Sequence, residues 1–95
     1  MTHRVYFAAD ARADLDRIAE YIARDSPARA ISFIDELQRR TVDFLSLFPR
    51  GGTRYRKATR YLVLSGYIVL YEIDDVQDAV YVLHIVHGRT DWKKA

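Results

Sequence analysis

The hydrophobic positions change period along the chain. Arg4 to Ala8 (RVYFA) is a short extended run, and a helical period begins straight after it. Ala11, Leu15, Ile18 and Ile22 recur at i, i+4, i+7 and i+11, the spacing that lines one face of an α-helix. Asp10, Arg12, Asp14, Asp16, Arg17, Glu20 and Arg24 fill much of the remaining surface, acids first and Arg24 near the end, as the helix dipole favours. This side reads as water-facing, without a carboxylate pair suited to acid–base chemistry. Asp25-Ser26-Pro27 breaks the pattern, with Ser26 as N-cap and Pro27 as first-turn proline of a second helix. Ala30, Ile34, Leu37, Thr41, Phe44, Leu45 and Phe48 then form one apolar stripe, ending at Pro49 and Gly51-Gly52. So short a connection makes the two helices an antiparallel hairpin.

The period then falls to two. Tyr61 to Leu64, Ser65-Gly66 and Tyr67 to Ile73 read as a β-hairpin with a tight turn, and Asp74 to Asp78 as a second turn. Ala79 to Val86 is the strongest strand signal, and its nearly continuous apolar run predicts the central strand. The order β-α-α-β-β-β predicts an α+β fold, an antiparallel sheet with the helical hairpin on one face and the early strand at its edge, in one domain over residues 1–95. Tyr67, Val69 and Tyr71 alternate with Ile68 and Leu70, so both faces of that strand are apolar while two helices cover only one. Tyr67, Val69 and Tyr71 are assigned to the uncovered face, a patch of the kind that marks a partner site.

Composition narrows the class. With 49% hydrophobic and 29% charged residues, the chain is globular rather than disordered. No cysteine is present, which removes disulfides, thiolate metal sites and cysteine nucleophiles. The opening MTHRVYFAAD lacks the apolar core of a signal peptide, and no run approaches a membrane span, so a cytoplasmic protein with no membrane partner is expected. The net charge of +2 carries no argument by itself, but its distribution does. Between Pro49 and Tyr71 lie Arg50, Arg54, Arg56, Lys57 and Arg60 and no acid, a basic loop suited to phosphate or to an acidic protein segment. His84 and His87, three apart on a strand, point to opposite faces and make no joint metal site, so neither metal nor cofactor is expected.

The ordered residues resemble the ParE/RelE superfamily of bacterial toxins, the ParE branch above all. The resemblance rests on Ala11-x3-Leu15-x2-Ile18-x2-Tyr21-Ile22, Ala30-x2-Phe33-x3-Leu37 and Leu47-x-Pro49-x-Gly51. It continues through Tyr67 and Tyr71 to Val82-Leu83-His84-Ile85-Val86-His87-Gly88-Arg89. It implies the toxin of a type II toxin–antitoxin system, neutralised by a ParD-like antitoxin that lays an extended and helical segment over it. ParE-like members are associated with poisoning DNA gyrase and RelE-like members with cutting messenger RNA on the ribosome. On this basis Arg54, Arg56, Lys57, Tyr67, Val69 and Tyr71 are candidate antitoxin contacts. Arg89, Trp92, Lys93, Arg56 and Arg60 are candidate target contacts, with no sequence-specific nucleic-acid binding. A nuclease would instead draw on His84, His87 and Arg89 as acid, base and phosphate ligand. The chain departs from the nuclease pattern, since no Tyr follows residue 81 and the 49–71 segment lacks a Glu. Gyrase poisoning without catalysis is therefore the expectation, with the endonuclease and a non-toxic binding module as alternatives.

Overall fold

The computed structural model describes residues 2–94. Strand β1 (Arg4–Phe7) leads into helices α1 (Ala9–Ala23) and α2 (Pro27–Leu47), followed by β2 (Thr53–Arg56), β3 (Thr59–Leu64), β4 (Tyr67–Asp74), β5 (Ala79–His87) and a single 3-10 turn over Trp92–Lys94. The Ser26 hydroxyl accepts the Arg29 N–H at 3.2 Å and Pro27 takes the first position of α2, so the second helix starts where its cap dictates. Thr41, inside the apolar stripe, donates its hydroxyl to Leu37 O at 2.7 Å and so is buried without an orphan polar group.

The sheet runs β1-β5-β4-β3-β2 and is mixed. The α+β order and the helical hairpin on one face stand, with three refinements. First, β1 pairs with β5 in parallel, bracketed by Arg4 N–H to Asp78 O and Ala8 N–H to Val82 O, both 2.9 Å. A tight turn enforces antiparallel pairing only between the strands it joins, and no such turn links β1 to β5. Second, Thr53–Arg56 adds an edge strand that the polar run TRYR conceals. Third, β5 is interior, flanked by β1 and β4, and β4 takes the centre.

Ser65 and Gly66 both have positive φ, 52° and 83°, and form the two-residue turn between β3 and β4. That turn sets Leu64 opposite Tyr67 and Leu62 opposite Val69. Leu62, Val69, Tyr71, Val80, Val82 and Ile85 thereby share the face that packs on Ala11, Leu15 and Ile18 of α1 and Leu37 and Leu45 of α2. Val69 and Tyr71 are 0% exposed, and Tyr67 is half-buried against Phe33. The assignment of Tyr67, Val69 and Tyr71 to the uncovered face is therefore corrected. Both faces of β4 are apolar, and alternation alone does not say which one meets the helices. The face away from the helices carries Tyr61, Val63, Ile68, Leu70 and Tyr81, with Val63 59% exposed.

Candidate functional site

The basic residues lie on the hairpin of β2 and β3 and, for Arg50, on the loop leading into it, but they are not equivalent. Arg50 forms an ion pair with Asp75, whose carboxyl is held below the usual carboxylate range chiefly by the hydrogen bond from Arg50. Arg60 spends its guanidinium on backbone, donating to Gly52 O at 3.0 Å and Arg50 O at 3.4 Å. It lies in register with buried Tyr71, on the helix-covered face, and is half-buried rather than fully exposed. Arg54, Arg56 and Lys57 are exposed.

The tail docks on this hairpin. Trp92 sits 4.8 Å from the Tyr61 ring and 5.2 Å from the Tyr55 ring, centroid to centroid. Tyr55 OH and Arg56 Nη2 both donate to Lys93 O, at 2.9 and 3.3 Å. Lys93 Nζ lies 5.4 Å from the Trp92 centroid and 5.6 Å from that of Tyr61, while the Arg56 guanidinium lies 5.0 Å from that of Tyr55. The structure thus joins Arg56, Trp92 and Lys93, three of the five predicted target contacts. Arg89 is exposed on the segment between β5 and the tail turn. An open cleft of about 550 Å³ beside the hairpin turn is lined by Arg56, Lys57, Ala58, Thr59 and Glu72. Glu72, one residue beyond the acid-free segment, accepts a hydrogen bond from Thr59 Oγ1 at 3.2 Å.

Tyr71 anchors the hairpin to the body. Its hydroxyl donates to Pro49 O at 2.8 Å and accepts the Gly52 N–H at 2.9 Å. Burial pushes the Tyr71 phenol up, and burial likewise raises that of Tyr67. A Cβ at Gly52 would fall 2.6 Å from Tyr61 O, so the close approach of this loop to β3 requires glycine.

The two histidines meet different partners. A bulge in β5 leaves Leu83 unpaired between the Leu70–His84 and Tyr71–Val82 pairs, so the core-facing positions shift from Val80 and Val82 to Ile85, and His84 turns away from the core face. His84 Nδ1 then lies 3.3 Å from Asp14 Oδ2 and its Nε2 3.8 Å from Asp10 Oδ2. His87 packs edge-on against Tyr67 and shares a shallow cavity of about 330 Å³ with Arg17, Ile18 and Tyr21. Their register partners, Leu70 for His84 and Tyr67 for His87, lie on opposite faces of β4 as the spacing predicts, yet both rings reach side chains of α1. Asp14, read as solvated, is instead 6% exposed and accepts the Ile85 N–H at 2.9 Å while pairing with Arg17. It caps the strand edge that β1 is too short to cover. No group of three or more His, Asp or Glu among the described residues is arranged to hold a metal ion. The outer surface of the helical hairpin carries an apolar groove lined by Ala19, Ala23, Ala30, Ile31 and Ile34, which the stripe pattern did not reveal.

The family model described as ParE toxin of type II toxin-antitoxin system, parDE, matches residues 5–92. The chain belongs to the ParE toxin family. Solved structures agree in fold. A chain of the chromosomal ParDE TA system from P. aeruginosa superposes with a TM-score of 0.75 at 18% identity, over 90% of this chain and 96% of that one. A chain of the toxin-antitoxin complex RelBE2 from Mycobacterium tuberculosis gives 0.72 at 26% identity, over 92% of each chain. A chain of the intact E. coli RelBE toxin-antitoxin complex gives 0.64 at 18% identity, over 93% and 99%. A comparison with curated protein sequences returned no match. The protein is thus a type II toxin of the ParE/RelE superfamily. No helix among its described residues is long and apolar enough to cross a membrane.

Proposed function

We propose that this toxin arrests growth from the cytoplasm by poisoning DNA gyrase, without catalysing a reaction of its own, and that a ParD-like antitoxin neutralises it. The observation that carries the reading is the dispersal of the groups a nuclease would need. His84 is held between Asp10 and Asp14, and His87 faces Tyr67 and α1. Arg60 is bound to backbone carbonyls, and Arg56 is tied to the tail. No hydrogen bond or ion pair among the described residues links either histidine to Arg56 or Arg60, and Arg89 meets His87 through its backbone N–H, which donates to Nδ1 at 3.1 Å, rather than through its guanidinium. Binding chemistry is present where cleavage chemistry is scattered, and a poison needs only to favour one state of an enzyme–DNA complex over another.

The antitoxin reading changes with the burial of Val69 and Tyr71. The exposed cations Arg54, Arg56 and Lys57 suit an acidic extended segment, and the groove at Ala23, Ala30, Ile31 and Ile34 offers a helical segment an apolar seat. The test is a supercoiling assay with purified gyrase, toxin and antitoxin. Toxin alone is expected to inhibit supercoiling and an equimolar antitoxin to restore it. Unchanged supercoiling at a large excess of toxin sinks the proposal.

A further inference from the structure

The hairpin and the tail assemble cations that the protein itself leaves unneutralised. The side chains of Arg54 and Lys57 make no hydrogen bond, ion pair or ring contact among the described residues. Arg56 and Lys93 are held in place, yet by aromatic rings and a carbonyl oxygen rather than by carboxylates. A ring face positions a cation without cancelling its charge. Arg50 shows the contrast, paired with Asp75 at the opposite end of the loop. The turn adds a further observation. Lys57 has φ 39°, a left-handed backbone that favours glycine or asparagine, and this strained position projects a charge at the rim of the Arg56–Glu72 cleft. Glu72, the acid in that cleft, is turned to Thr59 on the sheet.

Exposed cations without counter-ions at one edge of the sheet, two of them (Arg56 and Lys93) held by an aromatic cluster, fit a polyanion whose charges repeat along a line. We propose that Arg54, Arg56, Lys57 and Lys93 form a sequence-independent binding surface for the phosphate backbone of DNA. This rests on the gyrase reading: the surface grips the DNA segment held by the enzyme, so the toxin recognises the complex rather than the protein alone. An acidic antitoxin segment on the same cations then neutralises the toxin by excluding that DNA.

Anisotropy of labelled duplexes of unrelated sequence, titrated with free toxin, tests this directly. Four phosphate contacts give a slope of about −3.6 for log affinity against log salt, a loss of roughly 150-fold between about 50 and 200 mM. The triple variant R54A/R56A/K57A is expected to bring the slope to about −1, and R54K/R56K to retain it. In a gyrase cleavage assay the triple variant should trap far fewer breaks than wild type at equal concentration. Absent or salt-insensitive DNA binding, or breaks trapped equally by the triple variant, overturns the DNA surface while leaving the gyrase reading intact. If wild type traps no breaks the gyrase reading falls, and the binding titration then decides the surface by itself. Preference for RNA of the same length overturns it in favour of an RNA site.

Discussion

Replacing Asp14 by alanine probes the least expected part of the fold. Its carboxylate accepts the buried Ile85 N–H at 2.9 Å, lies 3.3 Å from His84 Nδ1 and pairs with Arg17. Alanine would leave the Ile85 N–H without a partner at the strand edge where β1 has ended. A hydrogen bond to a charged acceptor is worth about 1.5–3 kcal/mol, and an unsatisfied buried donor costs a similar amount when its partner is removed. The exposed Arg17 partner adds little. Alanine returns up to about 0.7 kcal/mol through its better helix propensity. The net loss is about 2 kcal/mol, or roughly 8–16 °C in Tm for a domain of this size. Urea unfolding gives the stability, and amide exchange at Ile85 reports the bond itself. Asp14→Asn, which keeps a neutral acceptor, should lose about half as much. A loss below about 0.5 kcal/mol in Asp14→Ala, with Ile85 exchange unchanged, would refute the edge-capping role.

Other consequences follow from the same contacts. Tyr71→Phe removes a hydroxyl that bonds both Pro49 O and the Gly52 N–H and should cost about 2 kcal/mol in urea unfolding; a neutral result would show that the loop is not anchored there. Because burial raises the Tyr71 phenol, the folded state holds that proton more tightly than the unfolded chain; this contribution is complete below about pH 10 and fades as pH rises through the folded value. The alkaline loss of stability should shrink in Tyr71→Phe. Asp75 has the opposite sign: its lowered carboxyl stabilises above about pH 3.8 and loses that contribution as pH falls through the folded value. The stability gap between wild type and Asp75→Asn should therefore close in acid, and a gap persisting at about pH 2 contradicts the Arg50 pairing. Arg89→Ala should reduce toxicity while antitoxin affinity survives; loss of both would assign Arg89 a structural role instead.

The elements with local signatures were legible in the chain. Ser26-Pro27 marked a helix start, and Ser65-Gly66 a hairpin turn, because each rests on backbone chemistry confined to a few residues. Strand β2 was not legible, since an edge strand of Thr, Arg, Tyr and Arg buries too little to alternate. The choice of face for Tyr67, Val69 and Tyr71 depended on the register with β3 and on where the helices land, both properties of the assembled fold. The switch of core-facing positions from Val82 to Ile85 turned on one unpaired residue, Leu83, and a bulge leaves no mark in the hydrophobic pattern. Asp14 looked like any acid on the polar side of a helix, and its burial arises from contact with a strand at the far end of the chain. The basic segment was legible as charge, whereas its division into committed and free cations required the positions of Asp75, the Gly52 carbonyl and the tail.

The central claim, that this ParE-family toxin poisons gyrase, is met most directly by a DNA-cleavage assay. Purified toxin is incubated with gyrase and supercoiled plasmid, protein is denatured, and linear DNA is measured beside ribosomes translating a defined message. The account predicts linear DNA that rises with toxin and disappears with antitoxin, while the message stays intact. An unbroken plasmid together with codon-phased cuts in the message would contradict it and make His84, His87 and Arg89 the residues to pursue.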